Sequence, residues 1–323
     1  MVKPFKTHNQ QLTTLRKRGL SVPSRVKREL ENENYYNVIN GYKDLFLVTT
    51  PSNNRPITPE TFIKGTDFYE IFALYKLDRR LRNTLLEYLL VFETHMKSRI
   101  SYYFSEKYKE PHSYLYFKNY SNDPRKTNDI VSMVATMSKI IMNKQKNGPV
   151  RHYINTHNGV PFWVLINYLT IGNVSYLYQV LDDNVRMQIA NSYSKKFKRE
   201  YEHINIQPKD IESILKQANF FRNVCAHEER LYDYKIFNKP NSKNMLAEYN
   251  RVFSKNFVYN NLESKLFDIV MFLKLFLNKK DFKTLCKELD AHIEYYGKEL
   301  NVIKKSDIYN KMGCLTNDFC ELL

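Results

Sequence analysis

Glycine and proline are scarce, at 8 and 11 in 323 residues, so there are few places where regular backbone must break. The stretches between them are rich in Leu, Lys, Glu, Tyr and Phe, which sit comfortably in helices, and a mostly helical, all-α chain is expected. Cysteine is sparse as well. Cys225, Cys286, Cys314 and Cys320 form no C-x-x-C pair and have no matching pair of histidines, which argues against a secreted disulfide framework and a structural zinc site. Reduced thiols and no bound metal are the expectation, with Cys225 read as a small buried helix residue rather than a nucleophile. No run approaches the roughly 18 apolar residues that cross a bilayer. The stretch from Met1 to Leu20 is basic but lacks the apolar centre of a signal peptide. A cytoplasmic protein with no membrane partner is therefore expected. Gly-rich phosphate loops, acidic metal pairs at useful spacing, internal repeats and low-complexity tracts are missing too, so no cofactor is expected.

Acidic residues are also outnumbered. Against 50 Lys and Arg stand 34 Asp and Glu, a formal net charge of +16, which makes a polyanion the first partner to consider, because each phosphate neutralised by Lys or Arg releases condensed counterions. The 25 Tyr and 20 Phe could stack unpaired bases if they line a basic groove, although most of them are expected to fill the core.

Along the chain, Gln10 to Gly19 reads as a short helix ended by glycine, and a second short helix comes after Pro23, leading into Tyr35-Tyr36 and Gly41-Tyr42. Three prolines and two asparagines make Thr49 to Pro59 a surface loop. From Phe68 to about Tyr108 a long amphipathic helix is predicted, since Leu74, Leu77, Leu81, Leu85, Leu89, Phe92 and Met96 recur at three- and four-residue intervals. Further helices are predicted over Asn128 to Lys144, Pro161 to Tyr168, Val174 to Lys196, from Pro208 into Ala226, Leu262 to Leu277 and Asp281 to Tyr296. The organisation expected is a basic and aromatic helical segment over 1–50, a helical core over 59–300 and a tail over 301–323 that either docks or frays.

The predicted helix from Pro208 ends in Arg222-Asn223-Val224-Cys225-Ala226-His227-Glu228-Glu229-Arg230. Cleaving RNA without a metal needs a base for the 2′-hydroxyl proton, an acid for the 5′-oxygen and a cation for the charge on the phosphorane. An imidazole titrates near neutral pH, at about 6.5 when unperturbed, and a guanidinium forks onto phosphate oxygens. Arg222 and His227 supply these types, Asn223 could orient either group, and Arg230 could hold a flanking phosphate. Five helical steps turn by roughly 500°, leaving Arg222 and His227 about 140° apart around the axis, so a distorted helix end or a second copy of the helix is needed to bring both to one phosphate. Alone the spacing is a weak signal. Arg151 and His157 offer a looser version, placed before Gly159 and Pro161 where a turn is expected.

Several blocks reinforce it. Gln11-Leu12-Thr13-Thr14-Leu15-Arg16-Lys17-Arg18-Gly19-Leu20, then Tyr35-Tyr36 with Gly41-Tyr42, Leu74 to Arg82, Pro161-Phe162-Trp163, and Arg222 to His227 with Arg230-Leu231-Tyr232 occur in the order in which they stand in the Abi family of AbiD/AbiF-type abortive-infection proteins, members of the HEPN superfamily. The chain resembles that family over nearly its whole length. It departs at Leu77, Asn167, Ile171 and Glu228, the last where a second His often stands. The resemblance implies a HEPN-type helical bundle with an N-terminal helical extension. It also implies RNA cleavage by a composite site in which two motifs face each other, here across a homodimer, with Arg222, Asn223 and His227 as its catalytic residues. The implied role is growth arrest after phage infection, with restraint by a small structured RNA.

A non-catalytic RNA-binding or scaffold protein on the same bundle is the competing reading, and a gel of labelled RNA with wild type and a His227 variant separates the two. Three basic clusters remain: Arg16-Lys17-Arg18, Arg79-Arg80-Leu81-Arg82 and Lys195-Lys196-Phe197-Lys198-Arg199. Each is either a solvated face or an RNA contact. Lys195, Lys196, Lys198 and Arg199 are preferred as RNA-binding residues, because Phe197 lies among them and Tyr193 just before them, and these rings could add stacking to backbone contacts.

Overall fold

The computed structural model describes residues 4–157, 159–237, 243–253, 262–314 and 316–323. Among them there are helices, turns and isolated bridges and no strand, so the all-α expectation holds. The chain divides into two compact units, both discontinuous in sequence. The first comprises residues 1–85, 224–234 and 283–323, and the second residues 86–223 and 235–282.

The first unit opens with α1 (His8–Lys17) and α2 (Val26–Asn32). Thr7 and Gln10 form a reciprocal capping box at the start of α1. Gly19, at φ 89°, turns the chain out of it in the left-handed region that glycine occupies without steric cost. Residues 1–85 also hold the first half of α3 (Phe68–Lys107), a helix of 40 residues and therefore about 60 Å long. No Gly or Pro interrupts it. Asp67 accepts from the Tyr69 amide at 2.8 Å and Glu70 from the Asp67 amide at 3.2 Å, which fixes its start. Leu74, Leu77, Leu81 and Leu85 are buried along one stripe, as the three- and four-residue spacing requires. The other oxygen of Glu70 accepts the amides of Asn301 and Val302 at 2.6 and 2.8 Å. Most of α12 (Lys279–Gly297) and α13 (Lys305–Lys311) complete this unit. The C-terminal tail is docked: Asp290 accepts from the Tyr309 hydroxyl and from the amides of Phe319 and Cys320, each at 2.9 Å.

The second unit takes the other half of α3, then α4 (Thr127–Lys144), α5 (Gly148–His157), α6 (Phe162–Leu165), α7 (Ile171–Val180), α8 (Asp183–Glu200), most of α9 (Pro208–Ala226), α10 (Lys243–Phe253) and α11 (Leu266–Leu273). Phe276 meets Phe92 and Tyr193 edge-on, with ring centres 5.5 and 4.9 Å apart, and Phe104 packs on Phe162 at 5.0 Å. Two expectations are corrected in this unit. The helix predicted over Val174 to Lys196 is two helices, because Asp182 accepts the amides of Asn184 and Val185 at 2.9 and 3.4 Å and so starts a new one. The turn expected around Arg151 to His157 is instead the helix α5.

Candidate active site

α9 starts at Pro208, whose missing amide hydrogen would have had no partner in the first turn. Asp210 accepts the Gln207 amide at 2.7 Å and the Asn244 side-chain amide at 2.6 Å. Ile211, Ile214, Leu215, Ala218 and Phe221 are fully buried, so the apolar stripe read from the sequence is the helix's packed face. Arg222 and Asn223, which close the second unit's share of α9, are half-buried. Nε of Arg222 is buried and has no hydrogen-bond partner among the described residues, so at least one donor of this guanidinium is uncommitted.

In the first unit, His227 is the first residue past α9, and it is exposed. The stop beside it is well defined. The Glu229 amide reaches back to the Val224 carbonyl at 3.0 Å and the Glu228 amide to the Cys225 carbonyl at 3.4 Å, while Glu228 takes a left-handed φ of 55°. These are the two reverse bonds of a Schellman motif, with Glu228 where glycine is usual. Glu228 is therefore the residue on which the backbone turns.

The segment from Glu229 to Tyr232 is clamped onto α3 within the same unit. Asp78, with no exposed surface, accepts the Leu231 amide at 3.1 Å, the Tyr232 amide at 2.7 Å and the Tyr42 hydroxyl at 2.6 Å, and is paired with Arg82. Arg82 also donates to the Glu229 carbonyl at 3.2 Å, and Tyr42 stacks on Tyr232 with ring centres 5.8 Å apart. Burial raises the Asp78 carboxyl pKa, and Arg82, Tyr42 and the two backbone amides pull it back. Three of the sequence blocks, Gly41-Tyr42, Leu74 to Arg82 and Arg230-Leu231-Tyr232, thus meet in one buried network that holds the chain just past His227. Sequence reasoning missed Asp78, Arg82 and Tyr42 as positioning residues. The available signal was weak: an acid four residues before an arginine, a spacing at which the two can pair on a helix.

Several predicted RNA contacts sit differently from the expectation. Arg230 is half-buried, and its guanidinium bonds the Gly41 carbonyl at 2.6 Å, Asp44 at 3.1 Å and Asp233 at 2.8 Å; it anchors the loop rather than offering itself to a phosphate. Arg79 pairs with Glu33 and Arg82 is buried, so the cluster on α3 is not one solvated face. On α8, Lys195, Lys198 and Arg199 are exposed as expected, but Lys196 is half-buried and donates to the Phe276 carbonyl at 2.8 Å. Burial and the nearby Arg99 bring its pKa down to about 8. Tyr193 and Phe197 are buried, which removes the stacking expected between those lysines.

All four cysteines are free thiols, and burial pushes Cys225 up to about 12, as suits a packed residue and not a nucleophile. Among the described residues, one group could reach a common metal ion: Asp290, Asp318 and Cys320. Its oxygens already receive the Tyr309 hydroxyl and backbone amides, Asp318 accepting the Cys320 amide at 2.7 Å. The Cys320 thiol is pushed up to about 12 by burial and by Asp290, so the group is accounted for as the lock on the tail. No described helix is long and apolar enough to cross a membrane.

No curated protein and no solved structure matches the chain. A family profile described as Abi-like protein matches residues 28–233. That span runs from α2 through the Asp78 network to the segment beyond His227 and covers more than half of the chain. The chain belongs to the Abi-like protein family.

Proposed function

We propose that this protein is a metal-independent endoribonuclease of the HEPN type that acts in abortive infection against phage. The observation that carries the reading is His227: an exposed imidazole one residue past α9, on a backbone stop fixed by two reverse hydrogen bonds, with the partly uncommitted Arg222 guanidinium a few residues before it. In the reaction, one imidazole takes the proton from the 2′-hydroxyl as its oxygen attacks the adjacent phosphorus. Guanidinium groups meet the charge on the phosphorane, and a second imidazole returns a proton to the departing 5′-oxygen, leaving a 2′,3′-cyclic phosphate. Because α9 ends in one such motif per chain, the second imidazole comes from another copy of it, in a two-fold homodimer with a composite site. Asn223, half-buried beside Arg222, orients one of these groups. A small structured RNA restrains the enzyme, in keeping with the net charge of +16.

The test is a gel. Purified protein with labelled single-stranded RNA in excess EDTA should give products ending in 2′,3′-cyclic phosphate, and His227→Ala and Arg222→Ala should each abolish them while circular dichroism stays that of the wild type. Tight RNA binding with no product under any condition would instead leave the protein an RNA-binding scaffold.

A further inference from the structure

The motif Pro161-Phe162-Trp163 is untouched by the chemistry above, and it borders a cleft of about 860 Å³ that lies wholly in the second unit. Phe162 is consumed by the core, against Phe104 and Tyr114. Trp163 is not: it lines the cleft and is 55 % exposed, while Tyr102 on α3 lines it and is 60 % exposed. Tyr153 and His157, neighbours on α5 with ring centres 5.2 Å apart, line it as well. These rings border one concavity, and Trp163 and Tyr102 among them are left without the burial that large aromatics normally obtain. A planar ligand would supply it.

The polar groups narrow the class of ligand. Two carboxylates, Glu106 and Glu110, and one ammonium, Lys109, line the same cleft, so acidic groups outnumber the basic one, and the Tyr102 hydroxyl donates to Glu106 at 3.3 Å. Carboxylates repel a phosphate but accept N–H donors, and every RNA base carries such a donor on its pairing edge, free only when the base is unpaired. We propose that this cleft takes unpaired bases of single-stranded RNA, stacked on Trp163 and Tyr102, with the sugar–phosphate chain kept outside. The proposal rests on the ribonuclease reading, which it extends by a recognition site separate from α9.

Trp163 is the chain's one tryptophan, so fluorescence excited at the long-wavelength edge, where the 25 tyrosines absorb little, reports on this cleft. A 12-nucleotide 2′-O-methyl oligoadenylate, which has no free 2′-hydroxyl to attack, is titrated into the full-length protein beside an abasic strand of equal length and backbone. Saturable quenching of Trp163 by the oligoadenylate, little or none by the abasic strand, and a midpoint weakened about 5-fold or more in Tyr102→Ala are expected, since stacking on one aromatic side chain is worth on the order of 1–3 kcal/mol per base. Equal quenching by both strands, no quenching by either, or an unchanged midpoint in Tyr102→Ala overturns the proposal. Quenching without any cleavage of ordinary RNA would sink the ribonuclease reading and spare the cleft, and cleavage without quenching would do the reverse.

Discussion

Asp78 never meets solvent, yet it receives donors from three separated stretches of chain: Tyr42, Arg82 and the Leu231–Tyr232 backbone. Removing it would leave the Arg82 guanidinium, 3 % exposed, without a counter-charge, a change that typically costs about 3–5 kcal/mol. Asp78→Ala should lower the unfolding free energy measured in urea by that amount, and Asp78→Ala with Arg82→Met should cost less than the sum of the two single changes. A second expectation at this scale concerns Lys196. Its pKa falls from 10.5 to about 8 on folding, through burial and Arg99, with Glu200 and Asp281 opposing. Between those values the unfolded chain binds more protons, so stability contributed at this site rises as pH climbs from about 8 to 10.5 and is lost again on acidification. Urea unfolding of the wild type against Lys196→Met should show the wild type gaining relative stability across that window. A parallel pH course for the two proteins would mean that the Lys196 ammonium is not desolvated.

Among the elements, α9 joins a buried stripe to an exposed histidine, and its terminus carries a residue unsuited to its backbone. Glu228 occupies a left-handed conformation that costs an ordinary L-residue roughly 1–2 kcal/mol, and it brings a negative charge to the negative end of a helix dipole. Glu228→Gly should therefore raise the unfolding free energy, by about 1 kcal/mol once the added freedom of glycine in the unfolded chain is subtracted, and a fall in stability would show that the attraction of Arg79 and Arg82 for the carboxylate outweighs the backbone cost. The long α3 was legible because its apolar period runs unbroken for 40 residues, and α9 for the same reason. The break between α7 and α8 was not, because Val174 to Lys196 keeps a helical pattern across it and a single capping carboxylate, Asp182, decides the matter. The positions of Arg222 on α9 and of His227 just past its end could be read off by counting. The fates of Arg230, Lys196 and Arg82 could not, since a basic side chain looks alike in sequence whether water or a buried acceptor such as the Gly41 or Phe276 carbonyl receives it.

For the whole molecule the dominant property is charge. With +16, association with RNA should weaken steeply as salt rises, the logarithm of the affinity falling linearly with the logarithm of salt concentration. Fluorescence anisotropy across a series of rising KCl concentrations would measure the slope, and a flat response would exclude phosphate contacts as the main source of affinity. If the catalytic centre needs two copies, specific activity should also fall on dilution once dimers dissociate, whereas activity strictly proportional to protein concentration down to the lowest measurable level would point to a site complete in one chain. The buried clamp at Asp78 bears on how any genetic screen for lost toxicity should be interpreted. If the protein is toxic as proposed, such a screen would return Tyr42, Asp78 and Arg82 alongside Arg222 and His227, although the first three are buried in the network that holds the chain past His227. Cellular abundance tells the groups apart: poorly folded variants are cleared by proteases, while chemically dead ones accumulate at the normal level.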